Sequence, residues 1–231
     1  MKAKVIWNST KKWAVKTADE VKEFLKEKKV SVVKSRPDFT VVIGGDGTII
    51  YHREKLEGPV FGVGSEKSFI CQATRDDWKE SLSTLISKPA YEERMMLEIV
   101  HRKKKYTALN DAALMSRNHD VVTISVAISG DEYCFDADGV VVSSPTGSTA
   151  YAYSAGGPVI EPSMEAMGIV PVAPDKRLFD PVVVGSSHKV FISSLNPAHL
   201  VIDGKKEIKV NKGEKIRISR HRKSMEFAVA P

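Results

Sequence analysis

A run of apolar and β-branched residues, Phe39–Ile43, stops abruptly at Gly44-Gly45-Asp46-Gly47-Thr48. A run of that kind bounded by glycines predicts a buried strand ending in a tight turn. Three glycines among four positions let the backbone turn sharply and come close to a ligand, because no Cβ intervenes. Successive N–H groups in such a turn form a concave anion site suited to a phosphate. Asp46 is the one charged side chain in the turn. A carboxylate repels phosphate, so Asp46 fits better against a hydroxyl or a metal ion. The bland alternative is a strand–turn–helix corner with Asp46 as a cap, and the turn alone does not separate the two.

The residues before Pro89 alternate strand and helix. Lys4–Trp7 predicts a first strand, and Thr17 with Glu20 reads as a capping box ahead of Val21, Phe24 and Leu25 on one helical face. Val30–Val33 predicts a second short strand, and Ile49–Leu56 a helix ended by Gly58-Pro59. Val60–Val63 predicts another buried strand. Trp78, Leu82, Leu85 and Ile86 predict an amphipathic helix stopped by Pro89. Alternation of this kind implies a Rossmann-like parallel sheet covered by helices. A ligand at the carboxyl end of Phe39–Ile43 would then sit where open α/β sheets bind theirs.

From Tyr91 onward the pattern is strands alone. Val122, Ile124, Val126 and Ile128 alternate with Thr123, Ser125 and Ala127, and Asp203-Gly204 between two runs is a hairpin signal. The fold class expected is therefore an α/β N-terminal domain over residues 1–89 and an all-β C-terminal domain, a distorted β-sandwich, over residues 90–231. A run at about residues 224–231 is placed to add a strand to either.

Composition excludes several function classes. No run approaches the roughly 18 apolar residues that span a bilayer, and the start of the chain is too polar for a signal peptide, so cytoplasm and no membrane partner are expected. Cys71 and Cys134 form no CxxC pair and the histidines show no paired spacing, so no side chain is assigned as a metal ligand. The net charge of +6 includes Arg102–Lys105 and Arg220–Lys223, but no aromatic-interleaved motif accompanies them. Attraction for small polyanions is expected, and no nucleic acid.

Two further stretches carry chemistry. Ser143–Thr149 holds five hydroxyls in seven residues with Pro145 and Gly147. It reads either as a loop presenting donors and acceptors to a polar ligand, or as the cap of a short helix at Ala150–Ala155. Asn110-Asp111 interrupts an apolar segment. Buried Asn and Asp are costly without partners, which are either nearby backbone in a turn or a ligand.

Together the three stretches resemble the NAD kinase family. Gly44–Thr48 matches its GGDGT motif, and Ala108-Leu109-Asn110-Asp111 its Asn-Glu motif. Asp138-Gly139 followed by Ser144–Tyr151 and Gly156-Gly157-Pro158 matches its longest signature nearly residue for residue. The resemblance implies an NAD kinase-like fold with the site between its two domains. It implies transfer of a phosphoryl group from ATP, or polyphosphate, to the adenosine 2′-hydroxyl of NAD, giving NADP, with Mg2+ or another divalent cation on the donor. Asp46 would be the catalytic base, or would orient the hydroxyl. NAD would meet Asp46, Gly47, Asn110, Asp111, Asp138, Thr149, Ala150, Tyr151, Ser154 and Lys205. Donor phosphates would meet Gly44, Gly45, Gly47 and Thr48, with His52 and Arg53 as nearby basic groups. A homodimer or homotetramer is also implied.

The departures from the family pattern are local. Asp111 stands where the family has Glu, one methylene longer. Gly62–Ile70 lacks the second glycine pair of the family loop, with Phe69 left for its aromatic place. Two competing functions follow from these departures and from the shared GGDG turn: a non-catalytic NAD(P)-binding regulatory protein, and a GGDG-type lipid or sugar kinase.

Overall fold

The computed structural model describes residues 1–117 and 120–229. The chain forms two compact units, one of Met1–Glu93 with the segment from Met225, the other Arg94–Ser224.

The first unit runs β1 (Lys2–Trp7), α1 (Lys12–Glu27), β2 (Ser31–Val32), β3 (Phe39–Ile43), α2 (Asp46–His52), β4 (Val60–Val63), α3 (Trp78–Ser87) and β5 (Tyr91–Arg94). Strands β1, β2, β3 and β4 pair in parallel, with Trp7 level with Ile43 and Ile43 level with Val63. That register puts the segments following β1, β3 and β4 together at the carboxyl end of the sheet. Helix α1 lays Ala14, Ala18, Val21 and Leu25 on the sheet, and α3 adds Trp78, Leu82 and Leu85 to the same core. Each large side chain so buried contributes about 1.5–3 kcal/mol.

Helix α1 begins five residues before the expected capping box. Lys11 is extended and gives no side-chain cap, and Thr17 is buried in mid-helix. The spacing Ala14, Ala18, Val21, Leu25 sets the buried face, so packing on the sheet rather than a cap defines this helix.

The second unit runs β6 (Leu97–His101), β7 (Lys104–Ala108), β8 (Asp111–Ser116), β9 (Val122–Ile128), β10 (Asp131–Ala137), β11 (Gly139–Ser143), a 3-10 turn at Thr146–Thr149, the one-turn helix α4 (Tyr151–Ser154), β12 (Ala166–Val172), β13 (Val182–Gly185), β14 (Val190–Ser194), β15 (Ala198–Ile202), β16 (Lys206–Val210) and β17 (Ile216–Arg220). These strands form two six-stranded sheets, β10-β9-β14-β17-β6-β7 and β13-β12-β11-β8-β15-β16. One core holds apolar residues of both, among them Ile99, Ile124 and Ile218 from the first and Leu114, Val140 and Leu200 from the second. The alternation read at Val122, Ile124 and Val126 is the inward face of β9. The fold class is thus a parallel α/β sheet followed by antiparallel all-β sheets.

Strand β18 (Met225–Ala228) follows the second unit and returns to the first sheet, between β4 and β5, in the order β2-β1-β3-β4-β18-β5. Phe227 pairs with Val60 in parallel.

Candidate active site

In the first unit, the glycine turn is built by two different needs. Gly44 has φ +144° and Gly45 φ +90°. A Cβ on Gly44 would come within 2.4 Å of Thr48 Oγ1 and 2.7 Å of Asn8 Cβ, so this glycine is required by the fold itself. Lys11 Nζ donates to the Gly44 carbonyl at 2.7 Å and pins the turn. Gly47 differs: it lies inside α2, and an added Cβ would meet nothing within 4 Å. Its missing side chain leaves open space rather than relieving a clash.

The carboxylate of Asp46 is held by backbone. Oδ2 accepts from the N–H of Phe69 at 2.8 Å, and Oδ1 from those of Ile70 and Cys71 at 3.1 and 3.2 Å. Three amides fix both its position and its rotation. Counting backbone donors alone, Oδ2 is the oxygen with acceptor capacity to spare. Burial, with the Asp46 carboxylate alongside, pushes the Cys71 thiol up, so Cys71 is an inert packing group.

The Gly62–Ile70 segment is ordered by the same neighbours. Gln72 Oε1 accepts from Gly62 N at 2.7 Å while its Nε2 donates to the Ile70 carbonyl at 2.7 Å. A Cβ on Gly64 would collide with Ser68 Oγ. Phe69 is 71% exposed, so it takes no place in the core of this unit.

A pocket of about 340 Å³ opens at this carboxyl end of the sheet. Gly45, Asp46, Gly47 and Ser68 line it together with Lys11, Lys67 and Arg75. Among the expected phosphate ligands, Thr48 is buried under the turn with its Oγ1 unpartnered among the described residues. His52 and Arg53 lie outside the pocket lining. Arg53 Nη1 donates to the Ile50 carbonyl at 3.1 Å, and His52 stacks edge-on against Tyr51. Burial, then the charge of Lys55, lowers the His52 pKa.

In the second unit, the Asn110-Asp111 step is supported by a residue whose sequence context signals only a turn. The buried Asp203 carboxylate accepts from the N–H groups of Leu109, Asn110 and Asp111 at 3.1, 2.8 and 3.2 Å. The Asp203 N–H returns a bond to the Asp111 carbonyl at 3.0 Å. Asp203 and Gly204 both have positive φ, +50° and +60°, as a type I′ turn demands. The turn partner expected for Asn110-Asp111 is replaced by a distant carboxylate that holds their backbone, and the Asn110 side-chain oxygen is left over among the described residues.

The polar side chains around this step are buried. Asn110 Oδ1 is buried without a hydrogen-bond partner among the described residues, and so is Thr146 Oγ1. Burial, and secondarily the neighbouring Asp203 charge, pushes the Asp111 carboxyl up to about 7. Near neutral pH it can therefore donate as well as accept. Burial, Asp111 and Asp138 all raise the Tyr151 phenol, which places these three groups within electrostatic reach of one another. The Tyr151 hydroxyl contacts Met115 Sδ at 3.7 Å.

The hydroxyl-rich stretch is only partly turned outward. Ser144 Oγ donates to the Leu109 carbonyl and accepts from Gly147 N at 3.1 Å. Ser148 Oγ donates to Pro145 O at 2.7 Å and accepts from Ile160 N at 2.9 Å. Helix α4 has no side-chain cap, so these hydroxyls do not serve as its cap. Gly147 is glycine because a Cβ would lie 2.0 Å from the Asn110 carbonyl oxygen, and Gly139 because one would lie 2.3 Å from the Leu114 carbonyl oxygen. Gly147 thus docks the 144–149 turn onto the Asn110 step, while Gly139 lets β11 approach β8. Of the remaining expected ligands, Thr149 Oγ1 bonds Thr146 O at 3.4 Å, while Ser154 and Lys205 are exposed and Ala150 is half-buried.

Comparison with known proteins reaches both units. The family model for the ATP-NAD kinase C-terminal domain matches residues 109–229. A curated NAD kinase of Fusobacterium nucleatum is 30% identical over 99% of this chain and 92% of its own length. One from Methanospirillum hungatei is 35% identical over 80% of this chain and 71% of its own. Among solved structures, an NAD kinase of Archaeoglobus fulgidus in complex with ATP superposes with a TM-score of 0.87 at 28% identity, covering 100% of this chain and 94% of that one. A yeast NADH kinase complexed with NADH shares the fold, at a TM-score of 0.87 and 19% identity.

Proposed function

The chain belongs to the NAD kinase family, and from that premise we propose how its residues divide the reaction. The enzyme phosphorylates the adenosine 2′-hydroxyl of NAD to give NADP, with ATP as donor. The bond from the γ-phosphorus to the bridging oxygen breaks, a new bond to the 2′-oxygen forms, and ADP leaves. Such a transfer is governed by positioning and by charge neutralisation.

Asp46 takes the hydroxyl proton, or orients the hydroxyl, through Oδ2. The observation that carries this reading is that Asp46 is the one carboxylate lining the pocket at the glycine turn, held rigid by three backbone amides. Gly47 leaves the backbone open to the donor. Asn110, Thr146, Asp111, Asp138 and Tyr151 are the proposed dinucleotide contacts, on the strength of the unpartnered Asn110 and Thr146 oxygens. Thr149, Ala150, Ser154 and Lys205 remain in the proposal by motif position.

No group of three or more His, Cys, Asp or Glu side chains able to hold a metal occurs among the described residues. Asp46, the one acid in the pocket, is already engaged by amides. A protein-held metal does not fit this donor set, and Mg2+ is proposed to arrive on the donor phosphates, where it would offset their charge. Cytoplasmic location and homo-oligomerisation are proposed with the family reading. Exposed Val183 on the edge strand β13 is compatible with self-association.

The experiment is NADP formation from NAD by wild type and Asp46→Asn, with thermal melts to check folding. Wild-type turnover that falls by about 10²-fold or more in the variant is expected for a group that moves or orients the reacting proton. No turnover in folded wild type that binds NAD would overturn it, and would select the non-catalytic reading.

A further inference from the structure

We infer that Lys11, Lys67 and Arg75 grip the phosphate chain of the phosphoryl donor, and that the donor is recognised through that chain rather than through its base. The inference rests on the kinase reading above and assigns residues of the same pocket.

Three observations lead to it. First, topology collects the cations. Lys11 follows β1, the glycine turn follows β3, and Lys67 follows β4, and these strands are neighbours in one parallel sheet. Arg75 joins them ahead of α3. Second, the charges are not compensated locally. The pocket holds three cations against the single carboxylate of Asp46, and none of the three forms an ion pair among the described residues. Lys11 spends one N–H on the Gly44 carbonyl at 2.7 Å and has two left. An uncompensated cationic cluster around an open backbone turn suits a polyanion with several charges in a row.

Third, the pocket's one aromatic ring is already taken. The Arg75 guanidinium carbon lies 5.3 Å from the Trp13 ring centre and Lys11 Nζ 5.9 Å from it. Cation–π contacts of this kind hold the two cations and use the ring that a base would stack upon. The remaining lining is glycine, serine and charge. The chemistry recognised is a linear chain of phosphates, whether it comes from a nucleoside triphosphate or from inorganic polyphosphate.

The test is steady-state kinetics of Lys67→Gln, Arg75→Gln and the double variant, with ATP and with inorganic tripolyphosphate as donors. Loss of one charge-assisted contact should raise the donor KM by about tenfold. The double variant should lose more, with both donors affected alike and KM for NAD unmoved. Isothermal titration of tripolyphosphate and of ATP into the same proteins gives a readout without turnover. Weaker binding of both in the variants supports the inference even in a protein that fails as a kinase. Unchanged donor KM and unchanged titration would overturn it, and so would a loss confined to ATP, which would place the contacts on the nucleoside.

Discussion

Asp203 Oδ1 lies 2.8 Å from the amide nitrogen of Asn110, a residue 93 positions earlier in the chain. The contact makes the hairpin turn between β15 and β16 the clamp of the Asn110-Asp111 step. Asp203→Asn keeps a residue that tolerates positive φ but halves the acceptor set. We expect a loss of about 1–3 kcal/mol in urea unfolding, the usual result of weakening buried charge-assisted bonds. NAD affinity should fall with it, because Asn110 and Asp111 lose their backing. Equal urea midpoints for variant and wild type would show that the clamp adds no stability.

The carboxyl of Asp111 gives a pH dependence of definite sign. Its pKa rises from the ordinary aspartate value of 3.8 to about 7 in the fold, by burial first and by Asp203 second. The folded state therefore holds the proton more tightly than the unfolded chain. The favourable contribution is complete below pH 3.8, declines as pH rises, and is gone above about pH 7. Asp111→Asn lacks this penalty. It should be more stable than wild type at pH 8, by no more than about 4 kcal/mol, with the gap closing toward pH 4. Thermal melts of both proteins from pH 4 to pH 8 read the difference directly. A gap that stays constant across that range would remove Asp111 as its source.

The two outer glycines of the turn should separate stability from activity. Gly44→Ala forces a Cβ into Thr48 and Asn8 at φ +144°, and should cost about 2 kcal/mol or more. Gly47→Ala enters open space inside a helix, where alanine is favoured over glycine by about 0.5–1 kcal/mol. It should melt no lower than wild type while raising the donor KM or lowering kcat by about tenfold, as a misplaced group in the donor path does. Full activity in Gly47→Ala would mean that nothing approaches that backbone.

Ser148 belongs to the hydroxyl-rich signature but faces inward. Its Oγ joins Pro145 O to Ile160 N and is fully buried. Ser148→Ala would orphan the Ile160 amide and cost about 1–3 kcal/mol. KM for NAD should stay where it is in the folded protein. A raised KM without loss of stability would instead place this hydroxyl on the ligand.

The parts legible in the sequence are those with a local cause. The period-two pattern at Val122–Ile128, the glycine turn after Phe39–Ile43 and the Asp203-Gly204 hairpin each follow from neighbouring residues. The start of α1 does not, because Lys11 and Lys12 carry no cap and the helix is set by the sheet beneath it. The clamp by Asp203 is invisible for the same reason: nothing within a few residues of it tells which backbone it will bind. The cations of the pocket leave a faint trace. Lys11 and Lys67 follow β1 and β4, the two strands that flank β3, so strand order, once known, gathers them beside Gly47. His52 and Arg53 are near the glycine turn in sequence but outside the pocket lining, which is assembled by nearness in the sheet.

The return of β18 to the first sheet also orders events on the ribosome. Synthesis is vectorial, and domains complete early fold as units while the chain is still growing. Residues 94–224 can collapse as soon as they emerge, because every strand of their two sheets lies within that span. The sheet holding the glycine turn must wait with an open slot between β4 and β5 until the second unit has been made and β18 follows it. A nascent chain stalled before Met225 should thus carry a protease-resistant β unit and a parallel sheet still lacking β18, so that the glycine turn gains its completed sheet only after the second unit has been made.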